Sequence, residues 1–263
     1  MGYRSFLPAI ALFVVFVCPA PLVAQAGDFE AHHFELTTGA WLAAASGQAG
    51  SGETTADLRR DLGLGGREPR FFGRLAVKVA RRHRLSVEGF RYSADGRTVP
   101  SRSFTIGGRT FPPQSIDSRA EASYVFGAYQ YDLVSRERGH FGLAAGAGHF
   151  QGEVEARLTN PTDFFDQRSG LARGSAPLGL VGVEARGYLK RWLSIAGDVK
   201  GMSLGERGRY LQAMGHLGAG LGCCVVVQVG YGVIDAEVSP RDASNRVRPR
   251  FSGPVVSLVL LDR

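Results

Sequence analysis

The stretch from Asp117 to Leu158 constrains the fold more than any other. It holds two long alternating segments around a polar turn. In Ser118–Val134, Tyr124, Phe126 and Ala128 share one parity, and Arg119, Glu121 and Ser123 share the other. The turn is Ser135-Arg136-Glu137-Arg138-Gly139. In His140–Arg157, Phe150, Gly152 and Val154 oppose Gln151, Glu153 and Glu155. A strand alternates its faces residue by residue. These runs far exceed the roughly five or six residues of an ordinary soluble strand. Long strands with one apolar and one charged face suit a transmembrane barrel with lipid outside and water within.

The same rhythm continues along the chain. Strands are expected at His33–Ala44, Phe71–Ala80, Leu85–Tyr92, Leu178–Leu189, Trp192–Met202, Tyr210–Leu221, Val225–Val238 and Phe251–Leu261. Short connections (Ala80–Leu85, Val134–His140, Leu189–Trp192, Gly222–Cys224) alternate with long ones (46–70, 94–116, 158–176, 203–209, 239–249). Phe104–Phe111 reads as a small hairpin around Gly107-Gly108. The expected fold is all-β: one antiparallel up-and-down transmembrane barrel of about ten strands, with eight as the alternative. Short turns would face the periplasm and long loops the outside.

The first residues read as a leader. Arg4 precedes the apolar run Phe6–Val17, and Ala24-Gln25-Ala26 offers a small-x-small cleavage pattern. The domain reading is thus a signal peptide over 1–26 and a barrel over 27–263, in the outer membrane. The apolar run is shorter than the ~20 residues a spanning helix needs, and no second run reaches that length. The 36 Gly lie within apolar segments, where each would cost a helix about 1 kcal/mol. The net charge of +7 is mild, and export argues for an anionic membrane surface over nucleic acid. Cys223 and Cys224 are neighbours in a turn. Their Cα atoms stand about 3.8 Å apart, below the disulfide range, so no structural disulfide is expected.

Charges on the polar parity define the candidate site. Glu184, Arg186, Asp198, Lys200, Glu121, Glu153, Arg74 and Lys78 are expected in the lumen, with Glu35, Glu88, Arg119 and Glu155 beside them. A mixed-sign set in a narrow barrel forms either an ion-pair plug or a polar path for small solutes. The plug is favoured because ten strands leave little bore beside the roughly 16–18 of porins. The register about Lys190-Arg191 sets Glu184 near Asp198. These two acids are expected to share Arg186 and Lys200. Val225, Val227, Val229 and Val233 should face lipid. His149 and His216 are placed toward the lumen and His83 and His140 in turns; no metal site and no cofactor are expected. No Gly-x-x-x-x-Gly-Lys-Ser/Thr phosphate loop is present.

With this rhythm, and with stretches such as Tyr124–Tyr131 and Phe141–Gly148, residues 27–263 resemble the small Gram-negative outer-membrane barrels grouped as OmpA-like, OmpW-like and opacity-type proteins. Asp61-Leu62-Gly63-Leu64 is similar to a loop of uncharacterised members. The resemblance implies contact with outer-membrane lipid and lipopolysaccharide, assembly by the barrel-assembly machinery, and a monomer. Such barrels end in an aromatic residue, whereas Leu260-Leu261-Asp262-Arg263 stands there in this sequence. Either Leu261 serves instead or the assembly route differs. The sequence lacks the His-x-Ser-Asn stretch of barrel deacylases and an omptin acidic pair, so no enzyme is expected. The expected role is structural or surface-interacting with a plugged polar lumen. The alternative is a narrow channel for small or hydrophobic solutes; a lipid-modifying enzyme or a soluble lipocalin-like binder ranks below both.

Overall fold

A computed structural model describes residues 32–50, 55–67, 69–159, 169–203, 208–222, 224–238 and 246–262. The leader at 1–26 lies outside the described residues. In chain order the strands are β1 (Phe34–Trp41), β2 (Ala44–Gly50), β3 (Ala56–Asp57), β4 (Arg70–Ala80), β5 (His83–Thr98), β6 (Phe104–Ile106), β7 (Arg109–Phe111), β8 (Ile116–Arg136), β9 (Gly139–Leu158), β10 (Ser169–Lys190), β11 (Leu193–Ser203), β12 (Gly208–Gly220), β13 (Val225–Val238) and β14 (Arg246–Leu261).

All pairings are antiparallel, in the order β1-β4-β5-β8-β9-β10-β11-β12-β13-β14-β2-β3, and β1 pairs with both β4 and β14, which closes the ring. β1 and β2 form one stave that runs along the whole of β14 and is interrupted at Leu42-Ala43. The result is a closed ten-strand barrel. Around the short-turn end each stave is paired on both sides, which removes the free edges there. At the seam, the Asp262 carboxylate accepts the backbone N–H groups of His33 (2.8 Å) and Phe34.

The staves are unequal. β8, β9 and β10 run 21, 20 and 22 residues, while β11 has 11. β10 pairs with β11 only from Val181 to Lys190. The stretch Ser169–Leu180 therefore rises above β11 with only β9 as its ladder partner among the described residues, and β5, β8, β9 and β10 form a tall sheet at the long-loop end.

Outward positions on the short-turn half are apolar: Leu75, Val77, Leu85, Val87, Val125, Tyr129, Val183, Ile195, Leu217 and Val229 are all exposed. Val225, Val227 and Val233 share the parity of Val229. Inward on this half lie mostly polar and charged side chains. On the tall half the polarity reverses: Ala120, Ala122, Phe150 and Val154 are inward and buried, and Tyr124, Phe126 and Ala128 continue that buried inward parity down to the level of the charges. The expectation that this apolar parity faces lipid is therefore corrected. The interior there holds side chains rather than water, so it takes the apolar parity.

Those side chains come from the connections. The 46–70 stretch, expected as a polar loop, continues as β2 and β3 and then turns back with Leu58, Leu62 and Leu64 fully buried in the mouth. Asp57 caps the turn by accepting the N–H groups of Arg59 (2.9 Å) and Arg60 (2.8 Å). The expected hairpin forms as β6 and β7. Gly107 and Gly108 both have positive φ (59° and 74°), the left-handed geometry that a two-residue hairpin turn requires. Phe104 and Phe111 stack across it at 5.3 Å and are buried.

Candidate functional site

The short-turn half of the lumen holds a joined ion-pair network. β10 places Glu184 and Arg186 inward two residues apart, and β11 places Asp198 and Lys200 opposite. Glu184 and Asp198 are register partners. Their cations come largely from across the ring. Arg74 on β4 donates to Glu184 at 2.6 Å. Arg186 donates through both terminal nitrogens to Glu35 on β1, at 2.7 Å each. Lys200 bonds Glu88 on β5 at 2.7 Å and stands 3.6 Å from Asp198. Glu184, Arg186, Asp198 and Lys200 thus lie in one region, but Glu184 takes Arg74 and Arg186 takes Glu35. Long side chains that project toward the barrel axis meet partners from opposite staves there.

Lys78 shares the inward parity of Arg74 at the short-turn end and is half-buried; its backbone N–H donates to the His33 carbonyl at 2.7 Å. A second knot lies at the same end. Arg84 donates to Asp132 (3.1 Å) and contacts His140 Nδ1 (3.0 Å), and Gln130 donates to Asp132 (2.7 Å). Sequence reading placed Arg84 and His140 in turns and passed over Asp132. The parity of Arg84 with Glu88, and of Asp132 with Gln130, carried the signal. His149 falls on the outward parity, whereas His140 and His216 belong to the interior.

Above the charges sits an aromatic layer. Trp41 packs on Phe90 (5.0 Å) and Tyr92 on Phe251 (4.8 Å), and the Trp41 indole N–H donates to the Gly253 carbonyl at 3.0 Å. Tyr210 donates to Gln212 (2.8 Å), and Gln212 donates to Glu88 (3.3 Å), which links this layer to the network. The cavity left between Arg74, Glu88, Glu184 and Asp198 measures about 50 Å³. That is room for a water or two. Among the described residues, charged side chains occupy the short-turn half of the interior, and buried aromatic and leucine side chains lie above them.

Glu121 and Glu153 lie elsewhere. Both stand on the outward parity of the tall sheet, directly opposite each other, with side chains 36% and 40% exposed. Their expected lumenal position is corrected: the inward parity there is taken by Ala120, Ala122, Gly152 and Val154. The outward face forms a ladder of charges in register. One row reads Asp95, Arg119 and Glu155, and another reads Arg97, Asp117 and Arg157. The guanidinium of Arg97 holds the Asp117 carboxyl below its usual value by hydrogen bonding, and Asp117 raises Arg97 in turn. Nearer the apolar belt, a groove of about 680 Å³ opens among Arg91, Glu121, Glu153 and Arg173.

No family model and no curated protein matches the chain. Solved structures do. The outer-membrane protease OmpT of Escherichia coli is 10% identical, with 88% of this chain and 97% of that one covered at a TM-score of 0.58. The transport unit of the Escherichia coli autotransporter AIDA-I is 8% identical over 92% and 94% of the chains at 0.45. The attachment invasion locus protein Ail of Yersinia pestis is 10% identical over 86% and 99% at 0.36. The fold is that of an outer-membrane β-barrel. The expectation of no enzyme is corrected by the first of these. A protease is built on the same fold, so the fold is compatible with catalysis and membership of the class gives no ground for excluding it.

Proposed function

We propose that the protein is exported to the outer membrane by its leader and acts at the cell surface through the outward face of the β5–β8–β9–β10 sheet. In this reading the lumen is closed to solutes. The apolar belt meets lipid, the short turns face the periplasm, and the charge ladder stands among lipopolysaccharide headgroups as a monomer seated by the barrel-assembly machinery. One observation carries the proposal. Strand length, which costs ordering entropy residue by residue, extends the tall side well past the apolar belt. It presents paired charges to the outside over a packed interior, while the lumen is spent on ion pairs and aromatic rings. Outward charges in the belt itself would cost several kcal/mol each near the bilayer midplane, so the switch from Val125 to Ser123 and Glu121 marks the water boundary.

The test is cysteine labelling on intact cells with a membrane-impermeant reagent, in a protein carrying Cys223→Ser and Cys224→Ser. Cysteine at Arg119 or Glu155 should label without lysis, and cysteine at Arg136 beside the short turn should label only after it. Labelling of Arg119 and Glu155 positions only in lysed cells would refute the surface reading.

A further inference from the structure

The groove beside the apolar belt has a chemistry of its own. Its floor is backbone: Ala122, Gly152 and Gly174 are consecutive register partners on β8, β9 and β10 whose side-chain positions point into the barrel. Its walls carry charges that are already matched. Arg91 pairs with Glu121 at 3.4 Å, and Glu121 also takes Arg119 at 2.9 Å. Arg173 pairs with Glu153 at 2.8 Å. A phosphate or a free carboxylate entering this groove would meet the repulsion of two carboxylates beside any arginine it reached. A cation would meet the arginines on the same terms. A neutral group with many hydroxyls faces neither penalty. It can donate to the free lone pairs of Glu121 and Glu153 and accept from the remaining guanidinium N–H groups, and both kinds of bond are charge-assisted.

The neutral side chains extend this pattern. Ser123, Gln151 and Ser175 form one register row along the belt side of the groove, and Gln151 and Ser175 are exposed. Each offers both donor and acceptor. The volume lies within the roughly 300–1,000 Å³ of small-ligand sites. The next outward row down is Val125, His149 and Pro177, where the apolar belt begins. A ligand in the groove therefore lies at the level where headgroups leave the bilayer.

We infer that the groove binds a neutral, hydroxyl-rich saccharide segment, recognised by its hydroxyls and not by phosphate; this rests on the surface reading above. The sugar belongs either to a membrane glycolipid of the outer leaflet or to a free glycan.

The full-length protein in nanodiscs is titrated with three probes: a neutral hexose oligosaccharide of the lipopolysaccharide outer core, free of phosphate and of ulosonic acid, intact lipopolysaccharide in vesicles, and phosphatidylglycerol vesicles. The oligosaccharide should bind saturably, with an affinity that high salt barely changes, and Gln151→Ala with Ser175→Ala should weaken it about tenfold. Both side chains are exposed, so the variant should fold, which its strand circular dichroism checks. Displacement of intact lipopolysaccharide by the soluble oligosaccharide assigns the sugar to the glycolipid; oligosaccharide binding without lipopolysaccharide binding assigns it to a free glycan. Binding confined to the phosphorylated or anionic probes and lost in salt overturns the inference. So does the absence of saccharide binding, or displacement of the sugar by an unfolded polypeptide such as casein. Surface labelling of Arg119 and Glu155 positions together with no saccharide binding would overturn this inference alone and leave the surface reading in place.

Discussion

Arg186 on β10 grips Glu35 on β1 through both ends of its guanidinium, at 2.7 Å each, although 151 residues separate them in the chain. β10 stands opposite β1 in the ring, so this pair is a strut across the lumen. Both side chains are nearly buried, at 7% and 6% exposure. Removing one partner leaves the other charge uncompensated in a dry interior, whereas removing both does not. Glu35→Gln is expected to cost about 3–5 kcal/mol in urea unfolding from vesicles, and Glu35→Leu with Arg186→Met should recover most of that loss. A double variant as unstable as the single one would contradict the strut.

The belt makes a second prediction. Val229 is half exposed, on the outward parity of β13, and its register partners Leu217 and Val256 are outward and exposed too. Val229→Arg should cost about 2–4 kcal/mol near the bilayer midplane. Unchanged stability with the barrel still inserted would place this face elsewhere.

A third concerns the cap. A Cβ at Gly96 would sit 2.3 Å from the Leu62 carbonyl oxygen, so β5 touches the 58–64 turn backbone to backbone. Gly96→Val should push that turn out of the mouth. Amide exchange of Leu62 and Leu64 should rise while β9 and β12 amides keep their protection. Equal exchange in both proteins would mean that the turn is not held by this contact.

Alternation along β8 was legible, but its orientation was not. Period-two patterning says that two faces differ; it does not say which one touches water. On the short-turn half the apolar parity is outward, as for Val225, Val229 and Ile195, because lipid is the larger apolar surface. On the tall half Leu58, Leu62, Phe104 and Phe111 arrive from connections distant in sequence and make the interior the apolar side. Glu121 and Glu153 moved outward for that reason. The pairing of Glu184 with Arg74 was hidden similarly. Hairpin register is local, while a ring brings β4 and β10 together only once it has closed.

The seam gives a pH prediction. The Phe34 N–H holds the Asp262 carboxyl below its ordinary value against the opposing effect of burial, and the His33 N–H adds to it. A folded-state value below the unfolded one means that the clamp contributes fully above the unfolded carboxyl range and is lost as pH falls through the folded value. Amide protection at His33 and Phe34, taken relative to the intrinsic exchange rate at each pH, should therefore fall on acidification below the ordinary carboxylate range. Asp262→Asn, which cannot titrate, should remove that dependence. An acid response that persists in Asp262→Asn would assign it to another group.

Single-channel recording in planar bilayers tests the closed lumen most directly. The unmodified barrel should show no steady open level. Arg186→Gln with Lys200→Gln should release Glu35, Glu88 and Asp198 from their cations and raise conductance. A large, steady conductance in the unmodified protein that the double change leaves unaltered would contradict the account.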